Sequence, residues 1–267
     1  MTLATYRIGP ATRPNIVHDN GFLDQFTRRA PTVADRAKYA GWWAVLEGAE
    51  AVQRVPGAPH NDISDALAAY RHFLEGSGRQ RTFSYERYVA NDASGRTTLN
   101  NALVEVRGAA IDLYRTFHLN REARFEFTGS ALSAGSSSAH FPYPATENWQ
   151  KAIGAHNFWL SGSVEVTLAG TTPEFALVAT LHAEDMYNFN PGAEDITTGI
   201  PDGANGIFEV TGLARQYLNV ATLTRYLTWS GLAPATMQVA TSASRWARQD
   251  PMRTRQPDDN RRIRNRT

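Results

Sequence analysis

One long β-hairpin constrains this chain more than any other stretch. Phe158, Leu160, Gly162, Val164, Val166 and Leu168 alternate with Trp159, Ser161, Ser163, Glu165 and Thr167. Phe175, Leu177, Ala179 and Leu181 resume the period beyond Gly170-Thr171-Thr172-Pro173, which reads as a four-residue hairpin loop. Successive side chains of a strand point to opposite faces, so the pattern predicts two paired strands with one face buried. Ala123, Phe125 and Phe127, alternating with Arg124, Glu126 and Thr128, predict another strand; further strands are expected over 208–211 and 222–229.

Upstream the period is helical. Thr32 follows Pro31 and has Asp35 three residues on, a capping-box-like start. Val33, Ala37, Ala40, Trp43, Ala44 and Leu46 then favour a helix to about Gln53, which Pro56-Gly57 and Pro59 end. A second helix starts at Asp62 or Ser64, buries Ile63, Leu67, Tyr70 and Leu74, and leaves Gly76 at the left-handed position after its end. His72 faces away from that stripe. Ser84 caps a short helix, Asn91 to Gly95 reads as a turn, and Thr97 or Thr98 caps a last helix carrying Leu99, Leu103, Val106, Ala110 and Leu113. Residues 1–30 and 129–152 read as irregular. The fold class expected is α+β: a helical region over 1–117, an antiparallel β-rich domain over 118–240 and an Arg-rich tail over 241–267.

Composition narrows the function classes. With 42% hydrophobic and 20% charged residues the chain is ordinary globular protein. The absence of cysteine excludes disulfides, zinc-thiolate sites, iron–sulfur clusters and Cys nucleophiles. No apolar run approaches the roughly 20 residues of a membrane-spanning helix. No basic-then-apolar leader opens the sequence either, so synthesis in the cytoplasm without a signal peptide is expected, with any export by another route. Net charge is +1, but 241–267 holds eight arginines against Asp250, Asp258 and Asp259, which leaves the rest slightly acidic. That tail reads as a solvated segment or as an arm for an anionic surface. The phosphate-binding, dinucleotide, serine-hydrolase and zinc-protease motifs are all missing.

Chemistry concentrates in the connection that leaves the hairpin, Ala183-Glu184-Asp185-Met186-Tyr187-Asn188-Phe189-Asn190-Pro191-Gly192, continuing to Asp202-Gly203-Ala204-Asn205-Gly206. Asn, Asp, Gly and Pro are also what any exposed connection uses to turn, and that plain reading stands beside the functional one. Asp185 and Tyr187 share a face if extended, and a carboxylate beside a phenol can hold a hydrogen-bonded or metal-bound anion. Asp185, Asn188, Asn190, Asp195 and Asp202 are oxygen donors suited to Mg²⁺ or Ca²⁺, although not in the register of a calcium loop. Glu147 and His156 flank Trp149 and Trp159, a pattern of a sugar cleft or, more commonly, of core packing.

The segment Asp185-x-Tyr187-Asn188-Phe189-Asn190-Pro191, after the Gly/Ser-containing strand Leu160-Ser161-Gly162-Ser163-Val164, resembles the signature of colicin M-type bacteriocins. In that family a D-x-Y-D-x-N segment precedes a His-Arg pair, and a helical region precedes a β-rich catalytic domain. The resemblance implies hydrolysis of the undecaprenyl-pyrophosphoryl link of lipid II, in the periplasm, with a divalent cation. Two departures weigh against a complete carry-over. Asn188 stands where the second motif Asp belongs, and Ala193-Glu194-Asp195-Ile196 stands where His-Arg belongs. Asp185 and Tyr187 therefore carry over by position, Asp185 also as the metal ligand. His156, His182, Asp195 and Arg215 are the candidates for the missing roles, and Asn188 and Asn190 for substrate contact. The expectation is an antibacterial toxin or secreted effector acting on a lipid-linked envelope precursor, with an immunity protein as its partner. The competing expectation is a non-catalytic binding or structural module of a secretion or toxin system.

Overall fold

The computed structural model describes residues 4–117, 121–135, 140–194, 199, 201–233 and 236–242. Along the chain run β1 (Tyr6–Ile8), α1 (Phe22–Gln25), α2 (Val33–Val52), α3 (Ser64–Leu74), β2 (Arg81–Thr82), α4 (Tyr85–Asn91) and α5 (Ala93–Phe117). Then follow β3 (Ala123–Gly129), β4 (Leu132–Ala134), α6 (Glu147–Ala152), β5 (His156–Ala169), β6 (Thr172–Tyr187), α7 (Gly203–Thr211), β7 (Tyr217–Ser230) and β8 (Gln238–Ala240). The protein is α+β. One eight-stranded sheet has the order β1-β3-β5-β6-β7-β2, with β4 added to β5 and β8 to β7. All pairings are antiparallel except β2 with β7.

The expected order of helices first and sheet second needs correction. β1 and β2 come from the first third of the chain, and α6 and α7 lie among the later strands. One core also spans both halves: Leu99, Leu103, Val106 and Tyr114 of α5 pack in the same cluster as Phe125, Val164, Leu177 and Leu223 of the sheet. The tail beyond residue 242 lies outside the described residues.

The central hairpin forms where the alternation puts it, and is longer and tighter. β5 and β6 pair from Asn157 opposite Glu184 to Ala169 opposite Thr172, so Gly170 and Thr171 alone make the turn. Thr32 caps α2 with a complete capping box: its hydroxyl accepts from the Asp35 N–H, and the Asp35 carboxylate accepts from the Thr32 N–H at 2.8 Å. Elsewhere local rules were overridden. α5 begins at Ala93 rather than near Thr97, because buried Asp92 accepts from the backbone of Ser94 and Gly95 and also holds the Ala145 and Thr146 amides. Residues 208–211 are the end of helix α7, not a strand. Asn205, Gly206, Phe208, Glu209 and Val210 are all buried, and four residues are too few to separate the two periods.

Residues 9–30 form a strap across the sheet face opposite α5. Gly9 N–H bonds the Glu126 carbonyl, the Thr128 hydroxyl bonds the Thr12 carbonyl, and Arg13 reaches Glu184. The strap then meets the end of β6, where Phe22 N–H donates to the Phe189 carbonyl at 3.1 Å. Gly21 there has φ +53°, and a Cβ would lie 2.2 Å from the Phe189 carbonyl oxygen, so the close approach requires glycine.

Candidate functional site

The end of β6 opens into a cleft of about 580 Å³, within the range that takes a drug-sized ligand. Its walls come from α2 (Trp42, Leu46), α3 (Leu67, Tyr70), the segment around α6 (Tyr143, Lys151) and the 185–205 connection. Alternation explains the placement. Leu177, Ala179, Leu181 and Ala183 point into the core, and Asp185 and Tyr187 continue that row past the point where apolar side chains fill it. Both line the cleft.

Asp185 keeps some contact with the cleft while protein surrounds the rest of it. Burial, and secondarily the charge of Asp19, pushes its carboxyl well above the usual carboxylate range, which favours the protonated form. Asp19 reaches this end of the sheet on the strap, where it accepts from Gly21 N–H at 2.9 Å and from Asn188 Nδ2 at 2.8 Å. Tyr187 stacks on Tyr217 of β7, its cross-strand neighbour, at 5.1 Å and 14°. Glu209 of α7 accepts from the Phe189 N–H at 3.2 Å. Its carboxyl is pushed up to about 8, first by burial and then by Asp202 and Asp19, against the opposing pull of the Phe189 bond. The other Glu209 oxygen is buried with no hydrogen-bond partner among the described residues.

Several sequence candidates do not reach this cleft. His182 lies on the opposite sheet face, as the alternation requires. It stacks on Trp159 at 4.9 Å and 8°, with Nε2 2.9 Å from Ser161 Oγ. His156 is 3% exposed, packed edge-on against Tyr85 and Tyr88, with Nε2 3.2 Å from the Tyr85 hydroxyl. Burial lowers its pKa to about 4, which makes it a neutral core residue. Arg215 is exposed on the connection from α7 to β7, its backbone N–H bonded to the Phe73 carbonyl. None of these three lines the cleft with Asp185. Trp149 is fully buried and Trp159 is 8% exposed, so both pack rather than form a sugar cleft.

The amide candidates divide. Asn188 and Asn190 both line the cleft, but the Asn188 amide is engaged by Asp19, and Asn190 is exposed with its backbone N–H on Asp202 Oδ2 at 2.9 Å. Asp195 lies outside the described residues. Among the described residues no three His, Asp or Glu side chains converge in a way that fits a metal ion. The sequence pattern missed Trp42, Tyr70, Asp19 and Glu209, and gave Asn205, within the connection it singled out, no role of its own. Tyr70 was visible only as part of a buried stripe; Asp19 is 166 positions from Asp185 and carries no local signal.

Comparison of the chain with protein-family models, curated proteins and solved structures finds no match. Fold and site together define an α+β protein whose central hairpin delivers a carboxyl, raised by burial, into an aromatic-walled cleft.

Proposed function

We propose that this cleft is the active site of a hydrolase and that Asp185 is its general acid. The single observation that carries the reading is that Asp185 and Tyr187 line one cleft, where burial pushes the Asp185 carboxyl well above its ordinary range. A protonated acid in a concave site can deliver its proton to a departing oxygen, which is the assistance that cleavage of a phosphoester-type bond calls for. Tyr187, beside it on the same strand face, is placed to bond a neighbouring oxygen of the substrate. The substrate class is the one that the bacteriocin-like segment implies, a lipid-linked cell-envelope precursor of the lipid II type. In this reading the chain is an antibacterial effector acting in a target periplasm, countered by an immunity protein, and its Arg-rich tail contacts an anionic surface.

The test is incubation of lipid II with purified chain, with and without Mg²⁺, comparing wild type with Asp185→Ala. Release of the polyprenyl product by wild type and its loss in the variant supports the reading. Intact lipid II after incubation with correctly folded wild type ends it.

One observation favours the second reading, a non-catalytic binding module. The Asn188 amide is spent on Asp19, so the position that would hold a second acid supplies neither base nor nucleophile. Binding of an envelope component with no turnover is the result that reading expects.

A further inference from the structure

Away from Asp185 the cleft wall is made of rings and amides. Trp42 and Tyr70, both half-buried, meet edge to face at 6.1 Å, and Tyr70 meets Phe189 in the same way at 6.5 Å. The Tyr70 hydroxyl donates to Asn205 Oδ1 at 2.5 Å. This bond fixes the orientation of the Asn205 amide, whose residue is 7% exposed and lines the cleft, and it commits the amide oxygen. The NH₂ group of Asn205 remains as the donor that side of the amide offers.

The charge pattern narrows the ligand. Among the described residues lining the cleft there is no arginine or histidine, and its one lysine, Lys151, has Nζ 2.6 Å from Glu147 Oε1. A phosphate or carboxylate held by the Trp42–Tyr70–Asn205 wall alone would lack the forked or paired cation that such groups take, so any phosphate of the ligand lies outside this wall. A purely aliphatic ligand would leave the Asn205 amide desolvated without a new partner, at a cost of about 1–3 kcal/mol. A pyranose ring meets both conditions. Its C–H faces lie on aromatic rings, its hydroxyls accept from amide N–H groups, and they donate to the carboxyl oxygens of Asp202 and Glu194, which line the same cleft.

We infer that the Trp42–Tyr70–Asn205 wall is a subsite for an uncharged sugar ring. The inference rests on the cleft being the ligand site of the proposed hydrolase, and it names the part of the ligand that lies beyond the scissile bond.

The probe is tri-N-acetylchitotriose, titrated into the full chain and followed by tryptophan fluorescence and calorimetry. Saturable binding is expected, weakened about tenfold or more by Trp42→Ala and by Asn205→Ala, a loss equivalent to about 1.4 kcal/mol. Trp42→Phe, which keeps a ring, is expected to bind within about threefold of wild type, and thermal melts establish that each variant is folded. Absence of saturable binding to wild type, or unchanged binding by folded Trp42→Ala, overturns the inference. Lipid II turnover on the same samples separates the two ideas. Chitotriose binding without turnover keeps the sugar subsite and removes the hydrolase, whereas turnover without chitotriose binding does the reverse.

Discussion

Glu184 and Asp185 are adjacent in sequence and occupy opposite titration environments, because successive residues of β6 face opposite sides of the sheet. Burial alone would raise Glu184, but the bonds from Arg13 (Nε to Oε2, 2.8 Å) and His18 (Nε2 to Oε1, 2.8 Å) outweigh it and hold the carboxyl below the ordinary range. Among the described residues Asp185 has no such partner, and it is held above that range. Surroundings that push two carboxyls apart favour the charged form of one and the protonated form of the other. In this chain the lowered one ties down the strap, and the raised one faces the cleft.

The strap contact makes a first prediction. Arg13→Ala leaves Glu184, 2% exposed, with His18 as its remaining side-chain partner. The expected loss of stability is about 2 kcal/mol, the cost of leaving a buried charged acceptor short of a partner. The sign with pH follows from the lowered folded pKa. The Glu184 contribution is present above the ordinary carboxylate pKa and is lost as pH falls through the depressed folded value. Urea denaturation of wild type and Arg13→Ala at neutral pH and at pH 3 checks this: the gap should narrow in acid.

Glu209 predicts the opposite slope. Its folded pKa of about 8 lies above the ordinary value, so the folded state holds a proton that the unfolded chain has released. Stability should therefore fall as pH rises from about 4.5 to about 8, by at most about 1.4 kcal/mol per pH unit from this group. Glu209→Gln removes the titration and should flatten that part of the profile. Parallel profiles for the two proteins would show that Glu209 ionises normally.

Gly206 supplies a prediction that reverses helix propensity. Alanine within a helix is ordinarily better than glycine by about 1 kcal/mol. A Cβ at Gly206 of α7, however, would lie 2.1 Å from the ring of Phe22. Gly206→Ala is expected to destabilise by about 1–3 kcal/mol, as overpacking does, and the added substitution Phe22→Ala should recover part of the loss. A stabilised single variant would mean that the strap does not press on α7 in this way.

The parts of this structure legible in sequence are those with long, single-period patterns. The β5–β6 hairpin, the Thr32-capped α2 and the row linking Ala183 to Asp185 and Tyr187 all follow from local chemistry. Short elements were not legible. Four residues of alternation at 208–211 hid a helix, and β1, three residues long, exists only because Gly129 and its neighbours in β3 offer it an edge. The site was half legible for a related reason. Asp185 and Tyr187 sit on one strand, whereas Trp42, Tyr70 and Asn205 come from α2, α3 and α7 and meet them only through tertiary packing. His182 and His156 were attractive by residue type, but one points to the other sheet face and the other is buried among tyrosines.

Everything chemical in this account depends on a carboxyl that is neutral where it meets the cleft. The most direct measurement is a carbon-13 NMR titration of the aspartate side-chain carboxyls, with Asp185 assigned by its loss in Asp185→Asn. The account requires the Asp185 resonance to remain that of a protonated acid at pH 7. A midpoint near 4, the value of a free aspartate, would contradict it and remove the proton donor from the cleft.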